Sequence, residues 1–242
     1  MEKPYIQISK QFNAKNFNTD FLKFLSLGNK RLITDMLWIQ SLLEADLEQY
    51  NKSDLNNWLF VRFNTIFELD PKFLEAYQFA GQYLSIVKDD DLGAKTIFDK
   101  GLKLYPNDFS LNWHAGYHYY YELGDPNRAY ELFSKIMYDP RAPKYLPSIV
   151  AKLKSNMGDK ETALVIMQNT LLKVDQKNSI LIKKLTDGVI SLKIELDLEC
   201  LNSNKANCQL YRPEGYQYIF KKNKYTTNKP YIPFKLFSRS NK

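Results

Sequence analysis

The chain has 242 residues, 44% of them apolar, enough to bury a proper core, and no low-complexity block that would leave it unfolded. No apolar run reaches the roughly eighteen residues that a membrane-spanning helix needs, and the opening MEKPYIQISK lacks the apolar centre of a secretory signal. The formal charge of +7 sits at one end: residues 215 to 242 contain Lys221, Lys222, Lys224, Lys229, Lys235, Arg239 and Lys242 and no acid, leaving 27 basic against 27 acidic residues before them.

Residues 1 to 28 read as a connector, which leaves open an anchor removed by processing. Residues 29 to 50 then form a long periodic helix with Leu32, Met36, Ile39, Leu43 and Leu47 on one face, expected to extend the first helical hairpin. A repeat follows. With Leu59, Ala94, Ala129 and Ala163 in register, the spacing is 35, 35 and 34, and four residues on stand Phe63, Phe98, Phe133 and Met167. Pro71, Pro106 and Pro140 close the first three units, whereas the fourth has Asp175 there. Upstream, Ala80-Gly81, Ala115-Gly116 and Val150-Ala151 recur at 35.

Each column has a physical task. Small residues let two antiparallel helices approach, Phe or Met plugs the gap between pairs, and proline ends the second helix. Asp89-Asp90-Asp91, Gly124-Asp125-Pro126 and Gly158-Asp159 stand between the helices as glycine caps and acidic helix starts.

These residues resemble the tetratricopeptide-repeat (TPR) family, whose W-x-x-L-G-x-x-Y, A-x-x-x-F, P pattern reads here as Tyr77, Ala80-Gly81, Leu84, Ala94, Phe98 and Pro106. The next unit reads Ala115-Gly116, Tyr119, Ala129, Phe133 and Pro140. Trp113 stands one place late, these two units carry one extra residue before the alanine, and the first keeps only Leu59, Phe63 and Pro71. The resemblance covers about residues 43 to 175. It implies an all-α, right-handed α-solenoid of about four helical hairpins, and it is nearly silent on function because this fold hosts many roles.

In that family the first helix of each pair lines a concave groove. By register the lining residues here are Gln78, Gln82, Trp113, Tyr117, Tyr120, Ser148, Lys152 and Ser155. Trp and Tyr beside amides and hydroxyls suit a peptide with apolar side chains. Trp113 and Tyr117 fit either the groove or packing between hairpins, and Tyr119 fits packing. Leu25 to Gln40 also resembles the segment after the membrane anchor of some bacterial TPR proteins, through Leu27-Gly28, Asp35 and Leu37-Trp38-Ile39. That likeness implies the extracytoplasmic face of a bacterial membrane, with the cytoplasm as the alternative.

Residues 179 to 199 carry Ile182, Leu185, Val189, Leu192 and Leu196 at helical spacing, which predicts a capping helix with one wet face and closes a repeat domain over 29 to 199. Residues 200 to 242 form a C-terminal extension. Tyr216 to Phe220 and Tyr225 to Thr227 flank Lys221-Lys222-Asn223 as a short β-hairpin, which needs docking because a lone hairpin is marginal. Cys200 and Cys208 form a disulfide in an oxidising compartment or stay thiols in a reducing one.

The pair His114 and His118, with Glu122, has one-face helical spacing, but Ala115 occupies the place where a zincin carries Glu, so structural histidines are expected and no metal. No phosphate loop, catalytic triad or singled-out carboxylate pair is present, and no cofactor or small-molecule substrate is implied. The expectation is a non-catalytic protein-interaction scaffold, a subunit of a bacterial envelope assembly. The alternative is a module for nucleic acid or anionic membrane acting through the basic tail, Lys221, Lys222, Lys224, Lys229, Lys235 and Arg239.

Overall fold

In the computed structural model of the chain, which describes residues 18–45, 58–175, 177–203 and 208–235, the repeat columns are sealed from solvent. Ala80, Ala94, Ala115, Ala129, Ala151 and Ala163 have no exposed surface, and the plugs Phe63, Phe98, Phe133 and Met167 are buried with them. The described residues form ten α-helices and one two-stranded antiparallel sheet. They fall into two compact units, Met1–Leu132 and Phe133–Lys242.

The first unit runs through α1 (Thr19–Leu25), α2 (Lys30–Glu44), α3 (Trp58–Leu69), α4 (Leu74–Ile86), α5 (Asp91–Leu104) and α6 (Phe109–Tyr117). A π turn, His118–Glu122, continues α6, and α7 (Pro126–Ile136) runs over the division between the units. Capping follows the sequence. Asp90 starts α5 by accepting from the Gly93 amide, Asp108 starts α6 by accepting from Leu111, and Asp125 accepts from the Arg128 amide beside Pro126. Gly124 adopts φ +63°, a left-handed turn that costs glycine little. The extra residue of the α6 repeat is taken up by the π turn, which has more residues per turn than an α-helix. In the preceding repeat Asp89, at φ +57°, turns the chain between α4 and α5.

The α4–α5 contact is tight because Gly81 lies against the Phe98 ring. A Cβ at Gly81 would stand 2.5 Å from Phe98 Cε1. Burying a phenyl ring of this kind contributes about 1.5 to 3 kcal/mol.

Helix α2 corrects the sequence reading. Its expected apolar face, Leu32, Met36, Ile39 and Leu43, is exposed, and Leu47 lies outside the described residues. The face turned inward carries Thr34, Trp38, Ser41 and Ala45 instead. The Trp38 ring decides this, meeting Phe73 and Phe79 edge-on at 5.3 Å and reaching Phe63 at 6.2 Å. One large ring in an aromatic nest outweighs a stripe of aliphatics that has no facing partner. Glu44 at the end of α2 also reaches the buried Arg62 of α3 at 2.8 Å.

The second unit contains α8 (Leu146–Asn156), α9 (Lys160–Lys173), α10 (Ser179–Asn202), β1 (Tyr216–Ile219) and β2 (Lys224–Thr227). Gly158, at φ +89°, and Asp159, which accepts from the Thr162 amide, make the α8–α9 turn. Helix α9 packs on both α8 and α10. The inward residues of α10 are as expected, with Leu185, Val189 and Leu192 buried. The wet face expected for α10 is kept along Lys183, Lys184, Asp187 and Ile190 but is covered farther on, where Ile194, Glu195 and Asp197 are buried because the C-terminal extension lies against them.

Candidate functional site

Helix α6 buries Leu111 and Ala115 and turns Phe109, Trp113 and Tyr117 the other way, at four-residue spacing. Phe109 and Trp113 lie nearly parallel at 6.1 Å, Trp113 meets Tyr117 edge-on at 4.8 Å, and Tyr117 stacks on Tyr121 at 5.5 Å. Tyr120 meets Tyr121 edge-on at 4.6 Å. The rings thus form one aromatic stripe. Trp113, Tyr117 and Tyr120 are half-exposed and Tyr121 is exposed. Burial raises the Tyr120 hydroxyl above its ordinary pKa, with the neighbouring Tyr121 adding to the shift.

Of the other expected lining residues in this unit, Gln78 is half-buried and donates to Asp108 Oδ1 at 2.9 Å, tying α4 to the residue that caps α6. Gln82 is exposed. Tyr119, as expected, packs inside, and its hydroxyl donates to Asp99 Oδ1 at 2.6 Å. Burial, and then Asp99, push that hydroxyl up to about 12.

The two histidines sit in different surroundings. His118 is buried, with Nδ1 2.8 Å from Ser85 Oγ and Nε2 3.0 Å from the Asp91 carbonyl. A carbonyl only accepts, so Nε2 carries the proton and Nδ1 accepts from the Ser85 hydroxyl. His114 is half-exposed, its pKa lowered by burial. Among the described residues no group of three His, Cys, Asp or Glu is placed to hold a metal ion.

In the second unit Ser148 is half-exposed, but two expected lining residues are engaged otherwise. Ser155 is buried. Lys152 lies beneath the ring of Phe234, 5.7 Å from its centroid, and burial lowers its pKa. Phe234 belongs to the chain's own extension and is itself buried against Gly188 of α10. Sequence reading missed it because a Pro-rich terminal segment has no period to follow.

Two carboxylates of α10 hold that extension. Asp197, 1% exposed, accepts from the amides of Tyr211 and Arg212 at 2.7 and 2.9 Å and from the Tyr216 hydroxyl at 2.6 Å. Glu195 accepts from the Phe234 amide at 2.7 Å and pairs with Lys160 at 3.1 Å. The only sequence signal was the alternation Ile194-Glu195-Leu196-Asp197-Leu198, acids among apolar residues late in an apolar helix. Cys200 and Cys208 form a disulfide. Between α10 and the extension lies an open cavity of about 680 Å³, lined with both signs of charge by Asp187, Arg212, Glu214 and Lys229.

The expected hairpin is present, with Tyr218 facing Tyr225 and Ile219 facing Lys224. Lys221, Lys222, Lys224, Lys229 and Lys235 are all exposed, and Arg239 lies outside the described residues. No helix among the described residues is long and apolar enough to cross a membrane. Comparison of the chain with protein-family models and with curated proteins finds no match.

Proposed function

We propose that this chain is a non-catalytic interaction scaffold of TPR-like hairpins, and a subunit of an assembly in a bacterial envelope. The observation that carries the reading is the stripe of half-exposed Trp113 and Tyr117 and exposed Tyr121 on α6 and its π turn. Rings at helical spacing on rigid backbone offer contact area at little entropic cost, and Trp and Tyr are over-represented among residues that dominate binding. The partner is a protein segment with apolar side chains. The Cys200–Cys208 disulfide supports an oxidising compartment, since such bonds persist outside the reducing cytosol.

The test is affinity purification under mild crosslinking, comparing the parent chain with Trp113→Ala and with the Trp113→Ala, Tyr117→Ala double variant. The expected result is a partner whose affinity falls at least about tenfold with Trp113→Ala, while circular dichroism stays helical. Capture that survives the double change but is lost when the extension is removed after Leu201 would move recognition to the C-terminal segment.

A further inference from the structure

The β-hairpin carries an exposed aromatic tip for which nothing in the fold of its unit has a use. Tyr218 and Tyr225 face each other across the strands, and Phe220 follows Tyr218 two residues on. Tyr218 meets Phe220 and Tyr225 edge-on, both at 5.1 Å, so the three rings form one cluster. Phe220 is 88% exposed, the most exposed phenylalanine among the described residues, and a phenyl ring has no polar atom to satisfy in water. A short 3₁₀ turn, Phe220–Lys222, and Asn223 at φ +48° set Phe220, Lys221 and Lys222 at the apex.

The surroundings are cationic. Lys221, Lys222 and Lys224 are exposed, and among the described residues no acidic side chain stands within ion-pair distance of them. From Gly215 to Lys235 there are five lysines and no acid. The tip is also held in place. The Asn202 side chain, at the end of α10, donates to the Tyr225 carbonyl and accepts from the Tyr225 amide, at 3.2 and 2.7 Å. Tyr216, at the base of β1, is anchored on Asp197.

We infer that the tip is a membrane-surface anchor: Phe220 enters the boundary between headgroups and acyl chains, Tyr218 and Tyr225 lie at headgroup level, and Lys221, Lys222 and Lys224 meet anionic lipid. Apolar rings ringed by lysines have the composition of interfacial anchors, and each lysine near an anionic leaflet adds attraction. A wedge fits these rings better than single-stranded nucleic acid does. Stacking of bases needs a row of ring faces along a groove, whereas here one ring, Phe220, protrudes alone at the apex of a turn.

The experiment is co-sedimentation of the full chain with vesicles of phosphatidylcholine plus phosphatidylglycerol and with vesicles of phosphatidylcholine alone. Binding of a single-stranded oligonucleotide is measured in parallel. Binding to the anionic vesicles is expected, falling about tenfold in Phe220→Ser and retained in Phe220→Leu. Changing Lys221, Lys222 and Lys224 together to Gln should weaken it about a hundredfold at low salt and flatten its salt dependence. All these residues are exposed, so circular dichroism and thermal midpoints should match the parent. The inference is overturned by absence of binding to anionic vesicles, or by binding indifferent to Phe220→Ser. Oligonucleotide binding that equals vesicle binding and ignores Phe220→Ser would assign the patch to nucleic acid.

Discussion

The Tyr216 hydroxyl donates to the buried Asp197 carboxylate at 2.6 Å, and this contact joins the root of the hairpin to the last third of the longest helix of its unit. The same carboxylate receives two backbone amides, so three donors converge on one charge. Burial, and then Asp197, hold the tyrosine hydroxyl well above its ordinary pKa.

Asp197→Asn should therefore release the extension and leave the helices standing. The amide removes the charge and sets an NH2 group against donors, at a cost of about 3 kcal/mol to the docked state. Limited proteolysis should cut between Tyr211 and Lys235 much faster than in the parent, while far-ultraviolet circular dichroism barely changes. Equal cutting rates in the two proteins would show that the Glu195 contact and the disulfide suffice alone.

Gly81→Ala probes the helix contact of the first unit. The added methyl would lie 2.5 Å from the ring of the fully buried Phe98, so the ring or the helices must shift to admit it. Overpacking of this sort costs about 1 to 3 kcal/mol, more than the gain from alanine's better helix propensity. Thermal or urea unfolding reads the difference, and an unchanged midpoint would mean that α4 and α5 are not held this close.

Alkaline pH should weaken the first unit through Tyr119. Its folded pKa of about 12 lies above the unfolded value of 10.0, so the stabilisation is complete below pH 10 and is lost as pH rises toward 12. The shift corresponds to about 2 to 3 kcal/mol across that window. Lys95, whose pKa is raised by its hydrogen bond to Asp99, loses stabilisation in the same direction. Tyr119→Phe should cost about 1 kcal/mol at neutral pH, because Asp99 keeps Lys95 at 2.8 Å, and should make the alkaline decline shallower. Urea midpoints from pH 8 to 11 for both proteins measure it, and parallel curves would exclude Tyr119 as the group responsible.

The parts of this fold that were legible in the sequence are those fixed by local rules. Columns of Ala, Gly and Phe at a constant period named the buried helix contacts, and Asp90, Asp125 and Asp159 named helix starts, because close packing and capping admit few residue types. Periodicity identifies an apolar stripe on α2 but not the direction in which it points. There Trp38 found three rings from elsewhere in the chain, and Leu32, Met36, Ile39 and Leu43 were left outside. Among the proposed binding residues, register placed Trp113 and Tyr117 on a half-exposed face. It could not foresee that Lys152 would be covered by Phe234, more than eighty residues later in the chain, because a contact at that range leaves no local trace.

Asn202 fills one further need. A two-stranded ribbon exposes a row of amides and carbonyls along its outer edge, and such an edge can recruit a strand from another molecule. By bonding both the amide and the carbonyl of Tyr225, the Asn202 side chain imitates a neighbouring strand for one residue. The outer-edge pairing site of Tyr225 is thereby taken, so the hairpin displays its exposed rings on a ribbon that is closed at that point to growth into a larger sheet.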